Sequence, residues 1–299
     1  MEWGAPLKKL KYYPGCTLKN QAKNFEDSTI SSMKHLGVEV EELDRWNCCG
    51  TVFSLTSDDL MRHLAPVRNM IRAKEANASE FMTTCSMCYN TLKRANLHVK
   101  ANPDVLKRMN DFMYDEKVDY EGDVEVLHLM EYLRDKIGFA GIAEKVKKPL
   151  KGLKVASYYG CLLVRPKEVA FDNVESPVFL DDLIAALGAE PVDFPHKTEC
   201  CGAYQTVDKP EIVADQTYKI IKAARAKGAD VIAVSCPLCA FNLDTRQDDA
   251  AKKYPDFRNI PIIYFTQLMA IAFDCPEAEL GLNMHHIAPN SILTDKGLL

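Results

Sequence analysis

EFMTTCSMCYNTL, residues Glu80 to Leu92, returns 151 positions later (236 − 85) as DVIAVSCPLCAFNL, residues Asp230 to Leu243. Each stretch opens with apolar and β-branched residues and ends in Cys-x-x-Cys, which reads as a strand delivering two thiols at its carboxyl end. The flanks repeat as well. KLKYYPGC (Lys9 to Cys16) pairs with GLKVASYYGC (Gly152 to Cys161), and VEVLHLMEYL (Val124 to Leu133) pairs with IPIIYFTQLMAI (Ile260 to Ile271). Between these strand-like pieces lie helix-like ones. SSMKHLG and FLDDLIAALG end in Gly37 and Gly188, glycines suited to a helix C-terminus. DDLMRHLAPVRNMIRAKEA matches EIVADQTYKIIKAARAKG in position, and Pro66 is expected to start or kink the first of these. Strands alternating with helices predict an α/β chain with parallel sheets, built twice.

The cysteines carry the repeat most clearly. Cys16 maps to Cys161, Cys48–Cys49 to Cys200–Cys201, and Cys85/Cys88 to Cys236/Cys239; only Cys275 lacks a counterpart. Each half reads Cys, Cys-Cys-Gly, Cys-x-x-Cys, with gaps of 31 and 35 residues in the first half and 38 and 34 in the second. Neighbouring cysteines such as Cys48 and Cys49 are poorly placed for a mutual disulfide, whose geometry needs more widely separated Cα atoms. In open α/β sheets, functional residues gather beyond the carboxyl ends of the strands. Three loops per half are therefore expected to bring five thiols to one sheet edge.

The bulk properties set the class. The chain has 299 residues, 47% hydrophobic and 26% charged, enough for a core without disulfide staples. A net charge of −5 gives no global basic field for nucleic acid or anionic lipid. The start, MEWGAPLKKLKYYPGC, lacks the apolar stretch of a secretory signal. Ile260 to Phe273 is broken by Thr266 and Gln267 and falls short of the roughly 20 residues needed to span a bilayer. A cytoplasmic protein is expected, in which cysteines serve metals or catalysis more often than disulfides. The polar segments Lys100–Asp123 and Gly141–Gly152 read as solvated surface, the second as the linker between residues 1–145 and 146–299.

What five thiols per half hold is open to four readings. Tetrahedral zinc takes four ligands, so five overshoot, although sulfur-rich sites do take it. A thioredoxin-like dithiol uses one Cys-x-x-Cys and leaves the other three thiols of each half idle. Inert burial suits Cys275 but not ten cysteines in register. Iron–sulfur clusters use thiolates throughout, and adjacent glycines let backbone approach the inorganic core. The spaced run typical of bacterial ferredoxin cubanes is absent. His285 and His286, in LNMHHIAP, are candidate proton donors near neutral pH, with a surface or capping role as the plainer reading. Tyr13 and Tyr158, three residues before the first cysteine of each half, read as strand-packing aromatics, and His128 as a core residue.

The ten-cysteine pattern, with CSMCYNTL and CPLCAFNL around its last pairs, resembles the cysteine-rich CCG domain present twice, as in heterodisulfide reductase B subunits. The resemblance covers nearly the whole chain. It implies two tandem, pseudo-twofold-related domains, each holding a noncubane [4Fe–4S] cluster. It assigns Cys16, Cys48, Cys49, Cys85 and Cys88 to one cluster and Cys161, Cys200, Cys201, Cys236 and Cys239 to the other. It further implies a disulfide substrate cleaved between the clusters, a ferredoxin-like C subunit, a flavin-containing A subunit and flavin-based electron bifurcation. No nicotinamide or flavin motif is present in this chain. A second function class stands beside the first, because CCG pairs also occur in electron-relay subunits of quinone-linked or organic-acid dehydrogenase complexes.

Overall fold

A computed structural model describes residues 8–52, 58 and 60–299; the N-terminal residues read above as non-secretory begin outside this range. In the first half, β1 (Lys8–Tyr12), α1 (Lys23–His35), β2 (Val38–Glu42), α2 (Met61–Glu75), β3 (Glu80–Thr83), α3 (Ser86–Ala101), α4 (Pro103–Phe112) and β4 (Glu125–His128) follow in order. The short helices α5 (Leu129–Tyr132) and α6 (Phe139–Glu144) lead to the second half. There β5 (Lys154–Tyr158), α7 (Phe179–Ala186), β6 (Glu190–Val192), α8 (Pro210–Ala226), β7 (Val231–Val234), α9 (Pro237–Thr245), α10 (Gln247–Lys253), β8 (Ile262–Tyr264), α11 (Phe265–Ala272) and α12 (Asn290–Asp295) complete the described strands and α-helices.

Each half is a four-stranded parallel sheet, ordered β2-β1-β3-β4 and β6-β5-β7-β8. The expected α/β class with two parallel sheets is what the chain adopts. All four residues of β7 are buried, and β5 is exposed only at Lys154, as sheets covered on both faces require. The strand order reverses between β1 and β3, and again between β5 and β7. Crevices at the carboxyl edge of such reversals are where open α/β sheets place their ligands. Cys16 and Cys85 follow β1 and β3, and Cys161 and Cys236 follow β5 and β7, so both switch points carry thiols.

The halves share a core. Phe25 of α1 stacks on Tyr264 at 4.1 Å between centroids, an arrangement that adds about 0.5–1.5 kcal/mol beyond area burial. Ser28 Oγ lies 2.7 Å from Thr266 Oγ1, and Ser86 Oγ lies 2.8 Å from Ser235 Oγ. Asn90 Nδ2 donates to the Leu162 and Arg165 carbonyls, locking α3 onto the segment after Cys161.

One sequence expectation needs correction, and one of the two alternatives for Pro66 falls. The segments read as solvated surface are packed. Met109, Met113 and Tyr120 are buried in the first, and Ile142 and Leu150 in the second, where the Lys147 and Lys148 amides donate to Ala272 O. Their charges face water while a sparse apolar stripe packs inward, a pattern that bulk polarity hides. Pro66 does not start its helix: α2 begins at Met61, and Pro66 is buried inside it.

His128 is a core residue, as expected. Its Nε2 sits 3.0 Å from Thr84 O and its Nδ1 accepts from the Met130 amide at 3.2 Å, so Nε2 carries the proton and the ring is neutral. Burial pushes its pKa down to about 3. The unfolded chain binds a proton here below about pH 6.5, whereas the fold does not. Stability is thus full above that pH and falls, by up to about 1.4 kcal/mol per unit, as pH drops toward the folded value. Urea unfolding of wild type and of His128→Gln, compared from neutral pH downward, is expected to show a stability difference that shrinks with acidity; a constant difference contradicts this role.

Candidate functional site

The Cys-Cys-Gly loops are held from the strand ends. Tyr13 OH donates to Asn47 O at 2.8 Å, and Tyr158 OH donates to Glu199 O at 2.6 Å, in each case the carbonyl just before the paired cysteines. These tyrosines are therefore loop anchors rather than mere packing aromatics. Their equivalent spacing was visible in the repeat, but the distant acceptor was not. Gly50 and Gly202 adopt positive φ (77° and 84°), a turn that lets the Gly202 amide donate to Cys200 Sγ at 3.3 Å. Asn242 of α9 reaches both Cys201 O and Cys201 Sγ.

The Cys-x-x-Cys pairs are placed differently. Cys85 and Cys236 are the N-cap residues of α3 and α9, and Cys88 and Cys239 lie in the first turns. The sequence reading put these thiols at strand ends but did not see that each also opens a helix. A helix N-terminus favours negative charge, which here means a thiolate.

All ten motif sulfurs form one continuous chain. Cys16 Sγ lies 3.9 Å from Cys48 Sγ. Cys48 meets Cys49, Cys49 meets Cys88, and Cys88 meets Cys85. Cys85 neighbours Cys236 across the halves, where Ser86 Oγ lies 2.8 Å from Ser235 Oγ. On the far side Cys236 meets Cys239, Cys239 lies 3.5 Å from Cys201, Cys201 meets Cys200, and Cys200 meets Cys161. Equivalent residues, Cys85 and Cys236, stand side by side at the middle, the signature of a twofold relation between the halves. Cys275 stands apart from the chain and packs against the core.

The titration pattern follows from this crowding. Cys49, Cys236 and Cys200 are pushed down, chiefly because flanking thiols donate to them. Cys85, Cys88, Cys161, Cys201 and Cys239 are pushed up, chiefly by neighbouring thiols. Ten sulfurs this close cannot all ionise unless cationic charge is supplied, and metal ligation does so by displacing the thiol protons. Among the described residues no three His, Cys, Asp or Glu side chains surround a point suited to a single ion. The sulfurs are strung out in two five-membered runs.

Glycine space supports an inorganic core. A Cβ on Gly15 (φ +75°) would lie 2.8 Å from Cys88 Sγ, and one on Gly160 (φ +64°) 3.4 Å from Cys239 Sγ. An all-sulfur donor set with backbone drawn close beside it fits an iron–sulfur group.

His285 and His286 lie apart from the sulfur chain. His285 is buried, with Nε2 2.9 Å from Gln267 Oε1 and Nδ1 3.8 Å from Asp244 Oδ2. The same Nε2 also lies 3.3 Å from Asn24 Nδ2, and Gln267 Nε2 donates to Leu280 O. His286 Nε2 sits 2.8 Å from Asp248 Oδ2, and its amide donates to Asp244. Both imidazoles line a cavity of about 580 Å³ together with Tyr264, Pro237 and Leu238, the last two lying between Cys236 and Cys239.

The described residues include no helix long and apolar enough to cross a membrane. Residues 10–93 and 155–244 each match the family model of the cysteine-rich CCG domain. The chain is 32% identical over 277 residues to the 8-methylmenaquinol:fumarate reductase membrane anchor subunit of Wolinella succinogenes, covering 92% of this chain and 96% of that protein. It is 31% identical over 284 residues to the B subunit of the ferredoxin/F420H2-dependent CoB-CoM heterodisulfide reductase of Methanosarcina acetivorans, covering 94% of each. A crystal structure of a hypothetical protein from Helicobacter pylori superposes with a TM-score of 0.73 at 14% identity over 94% of this chain, a likeness of fold. The chain spans about half of that structure, 52% of its length. With the domain present twice and its curated relatives aligned almost end to end, the chain belongs to the CCG cysteine-rich domain family, among proteins that include heterodisulfide reductase B subunits.

Proposed function

We propose that this chain is the iron–sulfur subunit of a heterodisulfide-reductase-type complex, an oxidoreductase that reduces a disulfide to two thiols with two electrons and two protons. Residues 1–145 and 146–299 act as the two domains. Cys16, Cys48, Cys49, Cys85 and Cys88 would hold one noncubane [4Fe–4S] cluster, and Cys161, Cys200, Cys201, Cys236 and Cys239 the second. Such clusters supply one-electron redox equivalents and Lewis-acidic iron.

The observation that carries this reading is the junction of the halves at Ser86 and Ser235 (Oγ to Oγ 2.8 Å), the neighbours of Cys85 and Cys236, which brings the two thiol sets side by side. A disulfide presents two sulfurs and needs two electrons, so paired sites facing each other suit it. The chain's own part is to hold the array by Tyr13 and Tyr158, and to deliver protons through the cavity lined by His285 and His286. Electrons would enter from a ferredoxin-like C subunit fed by a flavin-containing A subunit in an electron-bifurcating assembly in the cytoplasm. The CoM–CoB disulfide named for the Methanosarcina relatives, or a related thiol disulfide, is the substrate class in this reading.

The likeness to the fumarate reductase anchor favours one other reading, in which the clusters relay electrons in a quinone-linked complex and bind no disulfide. EPR of anaerobically purified protein, mildly oxidised with and without 2-mercaptoethanol, separates the two. A thiol-dependent signal is expected for the disulfide reductase; an iron-loaded protein whose spectrum ignores thiol would replace it with the relay.

A further inference from the structure

We propose that a cavity beside α3 is an oxyanion site, one per chain, that takes a phosphate-class group. It encloses about 240 Å³ and is lined by Arg62, His63, Thr91, Arg94 and His98, with Leu97, Pro166 and Val169 as apolar walls and Glu168 as the one carboxylate. The His63 and His98 rings stack at 4.4 Å. His98 Nε2 is buried without a hydrogen-bond partner. Arg94 makes no ion pair or hydrogen bond among the described residues, although it projects from the middle of α3. Two guanidinium groups and two imidazoles around one concavity suit a tetrahedral oxyanion, with Arg94 and His98 Nε2 as its main donors; the Thr91 hydroxyl already donates to Met87 O at 2.8 Å.

The internal repeat supplies a comparison. In this cavity a helix opening at one half's Cys-x-x-Cys meets the segment that follows the other half's first cysteine. The cavity lined by His285 is built the same way from α9 and the residues after Cys16. The architecture is shared but the charge is not. Lys93 and Arg94 correspond, 151 positions on, to Asp244 and Thr245 (93 + 151 = 244; 94 + 151 = 245). The repeat would thus bind an anion on one side only.

The oxyanion is either free or carried on a thiol ligand. Arg94, exposed on α3, lies six residues beyond the buried Cys88, about 9 Å along the helix axis and about a third of a turn around it, and no cysteine lines the cavity. The oxyanion site itself does not depend on which redox reading holds.

The test is calorimetric titration of the anaerobically purified full chain with inorganic phosphate at constant ionic strength. One saturable site per chain is expected, with a dissociation constant of about 1 mM or tighter. Arg94→Gln is expected to weaken it about tenfold, while Lys107→Gln, at an exposed surface pair, leaves it unchanged. Displacement of phosphate by 3-mercaptopropionate, but not by propionate or 2-mercaptoethanol, would assign the anion to a thiol ligand. Retention against all three would assign it to a free oxyanion, and both results support the site. Absence of saturable binding, or equal losses in the Arg94 and Lys107 variants, overturns it.

Discussion

Replacing Cys49 and Cys88 together by alanine is expected to halve the bound iron, from about eight to about four atoms per chain, and leave the second site loaded. Both residues belong to the first run of sulfurs, and Cys49 is the acceptor between Cys48 and Cys88. Alanine leaves Cys16 and Cys48, which are exposed, and Cys85, too few sulfurs to fill a four-iron cluster. The mirror variant, with Cys201 and Cys239 replaced, is expected to empty the second site alone. Iron and sulfide analysis of both proteins checks this. Loss of all iron from either variant would mean that the two runs form one inseparable site rather than two.

Gly15→Ala is expected to remove iron from the first site nearly as completely, through backbone rather than ligand. Gly15 has φ +75°, where an L side chain costs roughly 1–2 kcal/mol. Its added Cβ would also lie 2.8 Å from Cys88 Sγ, so the sulfur itself must move. Two comparisons isolate the effect. Gly37 has the same positive φ (83°) with nothing within 4 Å of a Cβ, so Gly37→Ala should lose about 1–2 kcal/mol of stability and keep all its iron. Gly160→Ala meets Cys239 Sγ at 3.4 Å, an ordinary contact, and should perturb the second site far less. Equal iron loss in the Gly15 and Gly37 variants would trace the effect to backbone strain and not to the sulfur.

Much of this was legible from the cysteines, because their spacing repeats and strands that end in thiols fix where a parallel sheet presents them. The α/β class, the two parallel sheets and the helix ends at Gly37 and Gly188 follow from that pattern. What escaped depended on contacts between distant residues. Tyr13 and Tyr158 looked like packing because their acceptors, Asn47 O and Glu199 O, lie 34 and 41 residues away. The helices opening at Cys85 and Cys236 escaped because a short apolar run before a thiol pair already satisfied a strand reading. The polar stretches after Lys100 and Gly141 misled because a few scattered residues, Met109, Met113, Tyr120, Ile142 and Leu150 foremost, carry most of their packing. The junction of the halves beside Cys85 and Cys236, where Ser86 meets Ser235, is a property of docking that no local pattern encodes.

The central claim is that the ten cysteines hold two iron–sulfur clusters. Its most direct test is the iron, zinc and acid-labile sulfide content of anaerobically purified protein. About eight iron and eight sulfide per chain, with negligible zinc, is the predicted result. Zinc without labile sulfide would contradict the claim and make the sulfur array a structural metal scaffold.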